Sequence, residues 1–131
     1  KLAEVDWEIE KFENGYNTIL GERGVTLSGG QAQRISIARS FIKDSEIYLF
    51  DDCFSSLDSD TEDRILKNLK NNFKNKTLII ISHRISCVKD ADNIIVLDNG
   101  KIIQSGSHNQ LLKNKGYYKD LYLKQNSEIN E

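Results

Sequence analysis

The chain has 131 residues, enough for one compact domain with a sizeable core and too few for two. Charged residues make up 29% and hydrophobic ones 38%, a balance that excludes disordered and fibrous classes. Lys and Arg total 18 against 20 Asp and Glu, a net charge of -2, so no overall positive field draws the chain to nucleic acid or an anionic membrane.

In chain order, Leu2, Val5, Ile9 and Phe12 stand at helical spacing with no cap before them and no Met at position 1. This reads as a chain that begins inside a helix, a piece of a longer protein. Ser28 to Lys43 reads as a second helix, made apolar on most sides by Ile35, Ile37, Ala38, Phe41 and Ile42 and therefore expected to be well buried against a sheet. Ile47 to Phe50 and Thr77 to Ile81 are short continuous apolar runs, the pattern of parallel strands covered on both faces. Between them Ser59 and Glu62 predict a capping box opening a helix with Ile65, Leu69 and Phe73 on one side. Its lysine-rich stretch, Lys67 to Lys76, is the wet face of that helix.

A short helix is expected near Ile85 to Asp90, followed by a hairpin in IIVLDNGKII, where Asn99-Gly100 supplies the positive backbone angles of a tight turn. Two further helices start at Ser107 and Tyr117, and the polar tail from Gln125 is expected to fray. Cys53 and Cys87 lack any metal-ligand spacing and read as small packing residues in a reducing compartment. No apolar run approaches the ~20 residues that cross a bilayer, and no leader opens the chain, so any membrane link runs through a partner or another segment.

Three places carry chemistry. Leu27-Ser28-Gly29-Gly30-Gln31 stands immediately before a helix, where backbone N–H groups and the positive end of the helix dipole converge on a spot an anion can occupy. Taken alone, it fits a Gly-rich turn capped by Ser28 equally well. Asp51 and Asp52 end a buried strand, at the carboxyl edge where α/β proteins bind ligands; alone, they also fit caps or turn residues. His83 ends the next strand and alone reads as structural, as does His108 in GSHNQLL, a surface or capping residue.

Taken in order, LSGGQAQRISIARS, IYLFDDCFSSLD and IIISHRIS resemble the signature motif, the Walker B strand with its adjoining D-loop, and the switch histidine of ABC-transporter ATP-binding domains. LGERG, Leu20 to Gly24, resembles the loop by which exporters of this family couple the ATPase to the membrane domain, with Glu22 as its glutamate, although a plain turn around Gly21 and Gly24 accounts for it too. The ending GSHNQLLKNKGYYKDLY resembles the exporter tail.

The resemblance implies an α/β fold, a partial P-loop NTPase with a mainly parallel sheet flanked by helices. Residues 1–43 would be part of the helical subdomain with the signature helix, and 44–131 the C-terminal part of the catalytic core. It further implies that Ser28, Gly29, Gly30 and Gln31 act on ATP held by a second ATP-binding domain, that Ser55, Ser56, Leu57 and Asp58 form the D-loop, and that Asp51 holds Mg²⁺ through water. Asp52 would polarise the attacking water and His83 would reach the γ-phosphate. The partners implied are the transporter's own transmembrane domain and that second ATP-binding domain, at the cytoplasmic face of the membrane, with no nucleic acid.

Two departures qualify the resemblance. No GxxxxGK[ST] occurs in the 131 residues, so the chain alone is expected neither to bind ATP tightly nor to hydrolyse it. The resemblance places the absent strand between those of His83 and Ile94 to Leu97; exposed edges there predict association of the chain. Asp52 stands where the family usually has glutamate, one methylene longer. In heterodimeric exporters one subunit often pairs such an aspartate with a complete signature, so a different second domain is expected. Soluble ABC ATPases of DNA repair and chromosome organisation share these motifs, but set the signature between coiled coils, and no heptads occur here. A non-hydrolytic regulatory module is a third reading, kept open by Asp52.

Overall fold

The computed structural model describes residues 1–21 and 24–129, which fall into two compact units, residues 1–81 and 82–131. The elements of the first are helix α1 (Asp6–Ile9), a 3-10 turn at Gly15–Asn17, helix α2 (Gly29–Ser40), strand β1 (Ile47–Asp51), helix α3 (Ser59–Asn72) and strand β2 (Thr77–Ile81). The second holds α4 (Ile85–Val88), β3 (Ile94–Asp98), β4 (Lys101–Gly106), α5 (His108–Lys113) and α6 (Tyr117–Ile129).

In the first unit β1 and β2 pair in parallel, Ile47 opposite Thr77 through Asp51 opposite Ile81, with α3 as the crossover. Tyr48 and Phe50 point into the core, where Phe41, Phe54 and Phe73 gather around them at ring separations of 4.9 to 6.4 Å. Ile65 and Leu69 of α3 are fully enclosed, as the helical spacing predicts. At the start of the pair Lys76 bridges Glu46 at 2.9 Å and Asp44 at 3.0 Å, and the hydrogen bond it donates to Glu46 leads in pushing its pKa up to about 12.

Four expectations for this unit are corrected. The opening residues form one four-residue helix among turns. What holds them is Arg34, whose guanidinium binds the Glu8 carboxylate at 2.8 and 2.9 Å and the Glu4 carbonyl at 2.6 Å, while Asn68 donates to the Leu2 carbonyl at 3.2 Å. Helix α2 buries only Arg34 and Ile37, and Ile42 lies beyond its end, 84% exposed, because the core needs one face of this helix rather than all of them. The cap of α3 is Asp58, not Ser59: its carboxylate accepts from Thr61 N–H at 2.9 Å. Finally, β1 and β2 are covered on one face only. In parallel register Ile47, Leu49, Ile79 and Ile81 share the other face and are 45 to 61% exposed.

In the second unit β3 and β4 form the expected hairpin, with Asn99 and Gly100 at φ 47° and 74° and an irregular register after Val96. Ile85, Ile94, Leu111 and Tyr118 make its core, and Ser107 caps α5 in a capping box with Gln110. The tail does not fray at Gln125: α6 continues to Ile129, because the Gln125 side chain is tied to main chain at both its ends. No helix among the described residues is long and apolar enough to cross a membrane.

Candidate functional site

The first unit brings two of the three chemical segments together. Ser28 caps α2: its Oγ accepts from Gln31 N–H at 3.2 Å, and its own N–H donates to Gln31 Oε1 at 2.9 Å. Both bonds use side-chain oxygens as acceptors. The Ser28 hydroxyl hydrogen and the Gln31 amide NH₂ stay available to donate, beside the second lone pair of each oxygen. The first N–H groups of the helix, those of Gly29 and Gly30, have no intrahelical acceptor by their position, so the α2 start carries donors suited to an anion.

Asp51 closes β1 with its side chain exposed, and Asp52 follows in the left-handed region at φ 47°. Aspartate tolerates that conformation better than longer residues do. Its N–H donates to the Ile81 carbonyl at 2.9 Å, extending the parallel ladder by one bond and fixing where the two carboxylates emerge. Cys53 beside them is half-buried; partial burial, reinforced by the two neighbouring carboxylates, pushes its thiol pKa up. A raised pKa leaves less of the thiol as thiolate, the reactive form.

The chain then turns through Phe54, Ser55, Ser56 and Leu57 to the cap Asp58, with Phe54 and Leu57 buried and the two serines exposed. Thr61 N–H holds the Asp58 carboxyl below the usual carboxylate range. Gln33, which the motif reading does not single out, joins this loop to α2: its Nε2 donates to Ser55 Oγ and its Oε1 accepts from Ser56 N–H, both at 2.9 Å. A Cβ on Gly30 would lie 3.1 Å from the Ser56 carbonyl, so glycine there lets the helix and the loop approach.

His83 belongs to the second unit. Its carbonyl accepts from Gln125 Nε2 at 2.7 Å, and Gln125 Oε1 accepts from Ile85 N–H at 2.9 Å. His108 Nδ1 lies 2.7 Å from the Tyr118 hydroxyl, a packed pair inside that unit. Glu22 lies outside the described residues. Gly24 N–H donates to the Gly21 carbonyl at 2.9 Å, and Ile19 and Leu20 are exposed.

Among the described residues no three His, Cys, Asp or Glu side chains are placed to hold a metal. A single exposed carboxylate such as Asp51 nonetheless suits Mg²⁺, which keeps several waters and takes its remaining ligands from phosphates.

A family model described as ABC transporter matches residues 2–55. The chain is 51% identical over 93% of its length to the multidrug resistance-like ATP-binding protein MdlA of Buchnera aphidicola, and spans 21% of that protein. It is 47% identical over its whole length to the ATP-dependent lipid A-core flippase of Legionella pneumophila, and spans 22% of it. A solved structure of a bacterial Atm1-family ABC exporter with ATP bound matches 95% of the chain at a TM-score of 0.90 and 42% identity, again over 22% of that protein. The chain thus spans about a fifth of the length of the relatives it matches. Motif order, fold and these likenesses agree, and the chain belongs to the ABC transporter family as part of an exporter-type ATP-binding domain.

Proposed function

We propose that the protein carrying this chain couples MgATP hydrolysis to export across a membrane, and that this chain supplies the signature half of one composite site and catalytic groups of another. The observation that carries the reading is the start of α2, where the Ser28–Gln31 capping box engages both side-chain oxygens as acceptors and leaves a hydroxyl hydrogen and an amide NH₂ to donate to an anion. Ser28, Gly29, Gly30 and Gln31 would close on phosphates held by a second ATP-binding domain. Asp51 would hold Mg²⁺, which when bound neutralises developing phosphate charge. Asp52 would orient the attacking water, His83 would contact the γ-phosphate, and Ser55 to Asp58 would face the second domain. Glu22 would meet the transmembrane domain at the cytoplasmic face. On this reading residues 1–43 belong to the helical subdomain with the signature helix and 44–131 to the catalytic core.

Asp52 points to a partner that differs from this chain. Its carboxylate sits one methylene short, and a group misplaced by ~1 Å can cost on the order of 10²-fold in rate. Its own site should be slow while it completes a faster one in the partner.

ATP turnover by the intact protein, alone and paired with a second ATP-binding domain, tests this. Turnover that needs the unlike partner, together with a rise of about tenfold or more at the slow site on Asp52→Glu, is the expected outcome. Brisk hydrolysis by the protein alone, unchanged by that substitution, would remove the unlike partner from the account. No ATP-dependent turnover in any pairing would remove the ATPase.

A further inference from the structure

We propose that Gln33 is a positioning residue for the loop Ser55–Asp58, setting the spacing between that loop and the start of α2 so that both meet a nucleotide as one surface. This rests on the ATPase reading above, in which neither motif assigns Gln33 a role.

Gln33 uses both ends of its amide, Nε2 toward Ser55 Oγ and Oε1 toward Ser56 N–H. The orientation is forced, because a flipped amide would set Nε2 against the Ser56 N–H, donor against donor. Ser55 passes the hydrogen bond on, its hydroxyl donating to the Asp52 carbonyl at 3.1 Å. Gln33, Ser55 and Asp52 thus form a chain in which every hydrogen runs the same way.

The helix surface agrees. Gly29 and Gly30 precede Gln33 by four and three residues and share its face. Cβ atoms built on them would lie 3.5 Å from Ser56 Oγ and 3.1 Å from the Ser56 carbonyl. One face of α2 therefore meets the loop at three successive points. Ser55 and Ser56 are exposed, so their own burial does not fix them. The glycines then admit the loop as well as a phosphate.

The test uses the intact protein with its second ATP-binding domain. Gln33→Leu keeps most of the volume and loses both bonds; it should lower kcat for ATP about tenfold and leave KM for MgATP within about twofold. Gln33→Glu keeps the acceptor for Ser56 N–H and should recover part of the rate. Ser55→Ala also loses its bond to the Asp52 carbonyl, so added to Gln33→Leu it should cost more than Gln33→Leu alone but less than the product of the two single effects, since the Gln33–Ser55 contact is shared. A kcat within twofold of wild type for Gln33→Leu, or effects that multiply in the double variant, would overturn the proposal.

If the wild-type protein turns over no ATP, the ATPase reading falls separately, and hydrogen exchange then judges the clasp. Exchange at Ser56 about tenfold faster in Gln33→Leu, with the α2 interior unchanged, supports it, and unchanged Ser56 exchange sinks it.

Discussion

The loops that follow the two parallel strands are held by different means. Residues 52–58, after β1, carry two buried anchors of their own, Phe54 and Leu57 at 1% and 7% exposed, and take the Gln33 clasp in addition. Residues 82–84, after β2, have no buried side chain; Arg84 N–H donates to Ser82 Oγ, and Gln125, about 40 residues further along, bonds the His83 carbonyl and the Ile85 N–H that follows. A loop that brings its own core residues is stabilised by burial. One held through its backbone depends in part on a side chain elsewhere in the sequence.

That contrast can be broken at its strong end first. Phe54 packs against Phe50 at 6.0 Å, and Phe54→Ala should cost about 3–5 kcal/mol in urea unfolding. A loss near zero would mean that the clasp alone holds the first loop. At the second loop Gln125→Ala removes two hydrogen bonds, for about 1–2 kcal/mol, and should speed exchange at the Ile85 amide. Equal protection of Ile85 in the variant would show that Gln125 merely rests there.

The smallest effect is an acid one, confined to the first loop. Asp58 has a folded pKa below its usual 3.8, so its cap bond to Thr61 contributes fully above that value and is lost as pH falls through the lower folded one. The protection of the Thr61 amide, taken against its intrinsic exchange rate at each pH, should fall on acidification while that of Ile85, held by an uncharged amide, stays put. Parallel behaviour of the two amides would erase the distinction.

What was legible in the sequence follows the same division. The parallel pair, its crossover helix and the Asn99-Gly100 hairpin were readable because apolar runs and turn residues are local signals. The order of the three motifs disclosed the family before any geometry. Capping of α3 was misplaced by one residue because Asp58 and Ser59 are both good caps and only the backbone chooses between them. The roles of Arg34, Gln33 and Gln125 were not readable, since each bonds to a segment more than twenty residues away and has no periodic signature. The tail was expected to fray because it is polar, yet polarity is what lets Gln125 satisfy the backbone beside His83.

The open face of β1 and β2 has a practical side. Ile47, Leu49, Ile79 and Ile81 form an apolar, solvent-exposed stripe on the folded chain. Dyes that fluoresce on apolar surface, ordinarily taken as markers of loosened packing, should light up on the native state of this chain. A bright reading would then report a well-ordered sheet rather than a molten one, and only a change in that brightness on heating or in urea would speak of unfolding.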